Sequence, residues 1–495
     1  MVTFPTRPLH GLLCVAALGV KAVPDSNYHA PQDAAATCQA IAEAISSASQ
    51  VYYPGSTNYD ADIAHWAFSS TQNSACSVEP GTAEDVGKIL QIVGAARTPF
   101  AVKGGGHNPN PGFSSTTGVQ IAMTRFNQVV NNVATGTVDV GAGLTWDDVY
   151  DELDGSGVNV VGGRVTGVGV AGFTLGGGYS WKTSQYGLTI DNIVAFELVL
   201  PNGSVRTITD ADKDLWFGLR GGGNNFGIVT KFTLKSHPQT DVWGGLLVYP
   251  SDQIDALIEA IANFQDSVND TKAAVIPALA ASDPSAVTLA ALVFYDAPTP
   301  PAGIWDDFLA IETLQSTVET QSFASFLTAL PNAAKGPTGR GLSSCVSVLK
   351  YTPALSQVIY NETVFWAGKL AALDNTSSVG YNIEPFSPDL FSFGTDSAYP
   401  PSRAQPLLPT NMGFSWTNPA LDSQFHAAIK QTTETIKAAA IRDGQDVADV
   451  SIYENYALYD TPLSEIYGDN VARLKAIKAT VDPQNVMGLA GGFKF

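Results

Sequence analysis

Val102-Lys103-Gly104-Gly105-Gly106-His107 is the stretch of this chain whose reading decides its fold. The three glycines follow the apolar run Pro99-Phe100-Ala101-Val102, so a short strand should end in a turn bare of side chains. Glycine lets a backbone take positive φ and lie against a ligand. Successive free N–H groups in such a turn make a concavity for phosphate oxygens. Lys103 adds a positive charge, and His107 offers a nucleophilic ring nitrogen beside whatever is bound. Two more glycine-rich segments follow, 167–178 and Gly221-Gly222-Gly223-Asn224-Asn225-Phe226-Gly227. Three such backbone-approach sites within about 125 residues predict one large cofactor wrapped by the chain.

The chain around them has 495 residues, more than one ordinary core organises, which predicts two domains. Its 46 acidic against 26 basic residues give a net charge of −20, a poor surface for nucleic acid or an anionic membrane. Arg7, the apolar run 11–20 and the small residues of Val20-Lys21-Ala22 read as a secretory signal peptide over 1–22. That run is too short to span a bilayer. Asn202, Asn269, Asn361 and Asn375 each begin an Asn-X-Ser/Thr triplet, compatible with an exported glycoprotein. Cleavage after Ala22 would remove Cys14 and leave Cys38, Cys76 and Cys345. Export favours one disulfide, and Cys38 on a helical stretch (33–49) with Cys76 before the Pro80-Gly81 turn is the expected pair. Cys345 is expected as a buried small hydrophobe. No Cys/His spacing resembles a metal site.

Helical periodicity places helices over 82–98, 146–153, 212–219, 254–266 and 425–443, with short strands between them. Pro201-Asn202-Gly203 joins two strands as a hairpin turn. The glycine-rich style stops near residue 240, where a second α+β region begins. A strand is expected over 452–459 and a helix over 468–479. Gly167-Val-Gly169-Val-Ala-Gly172, with Asp191 further on, formally matches a nicotinamide-dinucleotide fingerprint. Gly176, Gly177 and Gly178 would each cost the required helix about 0.8–1.0 kcal/mol, which argues against that reading.

The ordered motifs carry a family likeness. Val102–His107 followed by Gly112-Phe-Ser-Ser resembles the flavin attachment segment of secreted berberine-bridge-enzyme-like oxidases, in the vanillyl-alcohol-oxidase (PCMH-type) flavoprotein superfamily. Val168–Ser180 is similar to that family's second flavin-contact segment, 214–230 to its third, and Tyr453-Glu-Asn-Tyr456 with Asn470, Arg473 and Asp482-Pro483 to its C-terminal signature. The likeness covers most of the mature chain. It implies an α+β fold: a PCMH-type FAD-binding domain of two subdomains over 60–240, a substrate domain over 241–445 built on a helix-covered antiparallel sheet, and a segment 446–495 completing the first domain.

By the same resemblance His107 would carry FAD on its ring nitrogen. An imidazole substituent makes a flavin a stronger oxidant, and a tether prevents its loss outside the cell. Lys103, Gly104, Gly105, Gly106, Val168, Gly169, Ala171, Gly172, Ile193, Val194 and Asn455 would line the cofactor. Many members add a cysteine tether. Here Val165 stands at that position between Arg164 and Thr166, so a single bond is implied. Tyr453 and Tyr456 are the implied catalytic residues, with Tyr453 on a C-terminal strand facing the flavin. A tyrosine acting as base needs help from a cation, and Lys182, Arg403 and Lys350 are candidates. Trp181, Tyr186 and Trp416 are candidates for a substrate platform or for core. The implied activity is oxidation of an alcohol, sugar or secondary metabolite, with O₂ as acceptor and hydrogen peroxide as product. Oxidative cyclisation and a flavin-retaining binding protein stand as the other two readings.

Overall fold

The computed structural model describes residues 32–330 and 339–495, so the expected signal peptide at 1–22 lies outside the described residues. The first body begins with the helix Gln32–Ala44 and a four-stranded sheet ordered Gln50–Tyr52, Cys76–Glu79, Val119–Ala122, Phe100–Lys103. Its last two neighbouring pairs are parallel. The helix Ala83–Ala96 covers it. Thr82 caps that helix by accepting from the Asp85 N–H, Val86, Ile89, Leu90 and Val93 face inward, and Arg97 closes it at φ 53°. Burying each of those aliphatic side chains stabilises by about 1.5–3 kcal/mol. Five antiparallel strands form the second layer, in the order Val129–Asn132, Thr137–Gly141, Ile228–Lys235, Ile193–Val199, Val205–Ile208.

The second body is one large antiparallel sheet from strands between Val242 and Trp416. Helices Ile254–Ser267, Pro353–Ala371 and Asp422–Arg442 pack on one face through Leu257, Ile359 and Ile429. The other face meets the first body through Ile276, Leu292 and Phe294. After helix Asp422–Arg442 the chain returns. Helix Asn470–Val481 packs on Lys213–Leu219, and Ala490 bridges in parallel to Phe100 at the first sheet's edge. Among the described residues no helix is long and apolar enough to cross a membrane.

Cys38 and Cys76 form the disulfide that the spacing led us to expect, tying the first helix to the first sheet. Cys345 is free and buried. The bridge closes a loop of 38 residues, so a Cys38→Ser/Cys76→Ser variant should lose about 3–4 kcal/mol in denaturant unfolding. A midpoint unchanged from the parent would refute that.

Candidate active site

Strand Phe100–Lys103 delivers the glycine turn to the seam between the two layers of the first body. There the first two glycine segments lie backbone to backbone. A Cβ on Gly105 would stand 2.6 Å from the Gly169 N and Cα, and one on Gly169 2.3 Å from the Gly105 N. Only glycine at both positions permits that approach. Among the described residues nothing accepts a hydrogen bond from the N–H groups of Gly104, Gly105, Gly106 or His107. The second segment turns into the helix Val170–Leu175, positioned when the Val170 N–H donates to the Leu144 carbonyl at 2.9 Å. The helix stops at Gly176, and Gly177 and Gly178 take φ of 128° and 90°. It is therefore much shorter than a nicotinamide-binding helix. Asp191 is held by Arg220 and Arg403 rather than left for a ribose.

The third segment joins through the Gly223 N–H, which donates to the Leu175 carbonyl at 3.1 Å. The C-terminal motif clamps the others. Asn455 Nδ2 donates to the Phe173 carbonyl at 3.0 Å, and Asn110 Nδ2 to the Ala457 carbonyl at 2.8 Å. All four motifs thus meet one another, beside an open position at Gly172. A Cβ on Gly172 would meet nothing within 4 Å there.

His107 ends the first glycine turn with its ring stacked on Trp66, centroids 5.2 Å apart. The Trp66 N–H donates to the Gly106 carbonyl at 2.9 Å, which fixes the stack to the turn. His107 Nε2 is buried and without a hydrogen-bond partner. Burial pushes its pKa down to about 4, so the imidazole is neutral and keeps a nucleophilic lone pair. Lys103 does not place its charge at the turn. Its Nζ donates to the Ala61 carbonyl at 2.8 Å, behind the turn, and burial pushes its pKa down to about 8 against the opposing pull of Asp62. Lys103 thus offers the turn its backbone only. Val168 and Ala171 are half-buried, Ile193 is buried, and Val194 is exposed at the start of its strand. The turn amides and the open position at Gly172, with an uncommitted imidazole on the first turn, fit a flavin dinucleotide.

The tyrosines divide. Tyr453 precedes a short 3-10 turn, Glu454–Tyr456, rather than lying on the expected strand, because the Tyr456 and Ala457 N–H groups donate back to the Tyr453 and Glu454 carbonyls and turn the segment on itself. Its hydroxyl accepts from the Gly178 N–H at 3.0 Å and from Asn455 Nδ2 at 2.7 Å, and its ring packs against Tyr179, Tyr399 and Tyr456. This geometry makes it a strut between motifs. Tyr456 accepts from Arg164 Nη2 at 2.7 Å and donates to Glu384 Oε1 at 3.0 Å. Arg164 and Glu384 also pair at 2.8 Å, both buried. Burial raises the Glu384 carboxyl above the ordinary range, partly offset by Arg164. Tyr456 is likewise raised by burial.

The cations proposed from sequence stand elsewhere: Lys182 beside Asp296, Arg403 on Asp191 and Lys350 on Asp266. Trp181 packs on Phe294, Trp416 on Phe425 and Tyr186 on His237, so these three aromatics are packing rather than a platform. Arg164, Glu384 and Trp66 were missed. Glu384 had a legible signal, a lone acid two residues beyond the apolar-polar strand Ser378–Asn382. Cys345 Sγ donates to the Tyr453 carbonyl at 3.7 Å, and burial pushes the thiol up to about 12, so it stays protonated and inert. No metal-holding cluster of His, Cys, Asp or Glu occurs among the described residues.

Residues 74–209 match the family model described as FAD binding domain, and residues 452–490 the one described as berberine and berberine-like. An FAD-dependent monooxygenase of Aspergillus calidoustus is 30% identical over 99% of this chain and 97% of its own. An uncharacterised FAD-linked oxidoreductase of Arthroderma benhamiae is 34% identical over 65% of this chain and 64% of its own. The solved berberine-bridge-enzyme-like protein 1 of Physcomitrella patens superposes with a TM-score of 0.74 at 22% identity, covering 91% of this chain and 97% of that one. At that identity the superposition shows a shared fold.

Proposed function

Since the chain belongs to the berberine and berberine-like family of FAD-linked oxidoreductases, we propose that it is a secreted oxidase of small alcohols, sugars or secondary metabolites. In this reading FAD is held by one bond to His107, and O₂ takes the electrons as hydrogen peroxide. Val165 offers no thiol for a second bond. The Tyr456–Glu384–Arg164 triangle is the observation that carries the reading. Bound FAD supplies a two-electron acceptor.

The chain's own residues handle the proton. A substrate hydroxyl placed at Tyr456 Oη gives its proton to that oxygen as the tyrosine's own proton passes to Glu384 Oε1. Arg164 stabilises the negative charge along this path, and Trp66 holds the His107 ring in place. The four sequon asparagines are exposed, which supports export.

A second reading comes from the relatives named monooxygenases, in which an oxygen atom would enter the product. The two separate under ¹⁸O₂. We expect protein recovered from culture medium to be bleached anaerobically by its donor and, on readmitting labelled oxygen, to place the label in peroxide alone. Label in the organic product supports monooxygenation instead. Retention of the full chain inside the cell would count against secretion.

A further inference from the structure

Beside the His107 turn, reached through Trp66, the large sheet presents a floor of unusual composition. Three strands form it: Arg340–Val348, Leu408–Trp416 and Ser378–Asn382. Two contacts identify the face they turn to the cofactor segments. A Cβ on Gly341 would stand 3.1 Å from the Trp66 indole, and Cys345 reaches the Tyr453 carbonyl. Ser343 lies between them on that face by strand alternation. It stands opposite Gly413, which stands opposite Gly380; Cys345 stands opposite Asn411, which stands opposite Asn382.

A Cβ on Gly413 would meet no atom within 4 Å, and one on Gly380 only backbone oxygens at 3.9 and 4.0 Å. Neither glycine has a positive φ, so the backbone does not demand them. They leave a bare strip of peptide. Beside it Asn382 Nδ2 donates to Asn411 Oδ1 at 3.2 Å and Asn411 Nδ2 to Ser343 Oγ at 3.0 Å, which leaves each amide a second N–H. Both rows are uncharged. Charge enters at the Asn382 end, where Glu384 meets Arg164. That arginine is 8% exposed and its Nη1 is buried without a partner.

We propose that this floor takes a neutral, planar ring bearing an ionisable hydroxyl, a phenol or an enolised ring ketone. The ring lies on the Gly380–Gly413 strip and its oxygen at Arg164 and Tyr456. The assignment rests on the reading of this site as a flavin oxidation centre. A flat ring packs on bare peptide, whereas a sugar with hydroxyls in several directions is better served by a free aromatic platform; Trp181 and Trp416 are buried in the core, and Trp66 is stacked on His107. A cationic amine would face the Arg164 guanidinium in a site of low dielectric. An oxygen gaining negative charge finds there a spare charged donor.

Holoenzyme of measured flavin content is titrated with 2-naphthol, 2-methoxynaphthalene, cellobiose and phenethylamine, and the flavin absorbance is followed. We expect 2-naphthol to perturb it saturably and the ether to bind roughly tenfold more weakly. Gly413→Val should weaken 2-naphthol by roughly tenfold or more with flavin content unchanged. Arg164→Lys, which keeps the charge and loses the fork, should narrow the preference for naphthol over the ether. Cellobiose or phenethylamine binding in place of 2-naphthol overturns the proposal, as does equal naphthol affinity in Gly413→Val. Absence of FAD from the purified protein sinks the oxidation reading itself. That is distinguishable from flavin-loaded protein that ignores 2-naphthol, which sinks the substrate assignment alone.

Discussion

Acid-precipitated wild-type protein is expected to stay yellow and to carry the mass of a single FAD, and His107→Ala protein to release all of its flavin. The effect is all-or-none because His107 is the one proposed point of attachment. Folding should survive the change. The side chain's main packing contact is the stack on Trp66, an aromatic pair worth about 0.5–1.5 kcal/mol. The pH behaviour follows from the depressed pKa. With the imidazole at about 4 instead of 6.5, the neutral form persists as pH falls and is lost only near the lower value. Reconstitution of apoprotein with FAD should therefore form the covalent bond at a rate that shows no inflection between about pH 5.5 and 8. Covalent flavin in His107→Ala would eliminate the site, and an inflection near 6.5 would mean the ring is not buried as described. Trp66→Ala should slow coupling while leaving reversible FAD binding intact.

Glu384→Gln should lower kcat by about 10²–10⁴-fold, the usual range for a lost proton acceptor. Glutamine retains the shape and can still accept from Tyr456, so the loss reports the base rather than the fold. An alanine there would leave Arg164 as an unpaired buried charge, at a cost of about 3–5 kcal/mol. The sign of the pH effect is fixed by the raised carboxyl pKa. The base works only above that pKa, so the acid limb of the wild-type profile should lie above the ordinary glutamate value of 4.5. That limb should vanish in Glu384→Gln. Tyr456→Phe should produce a loss of similar size, and Tyr453→Phe a smaller one, since the Tyr453 hydroxyl anchors Gly178 and Asn455. A Glu384→Gln enzyme with normal kcat would transfer the base role to another group.

Much of this architecture is written in local sequence. The Gly105 and Gly169 approach, the Thr82 cap and the Cys38–Cys76 bridge each depend on residue types that little else explains. Hydrophobic periodicity placed the first-body helices Ala83–Ala96, Trp146–Leu153 and Lys213–Leu219 to within two residues, because each buries one regular face, and it missed the short elements Thr57–Ile63 and Val129–Asn132. The proposed proton-handling group was less visible. Arg164, Glu384 and Tyr456 are separated by up to 292 residues and meet only through tertiary packing, and no periodicity marks such a meeting. Lys103 shows the opposite error. Its position beside the turn suggested phosphate binding, but a flexible four-carbon side chain goes where burial and hydrogen bonding are best, here to Ala61.

The parallel bridge between Phe100 and Ala490 and the clasp of Asn110 on Ala457 have a consequence for biosynthesis. The wall that this bridge completes leaves the ribosome nearly four hundred residues after the strand it joins. A chain stalled in the second body lacks that wall, so flavin capture is expected only after the returning segment has been made. That orders translation, folding and prosthetic-group capture in time.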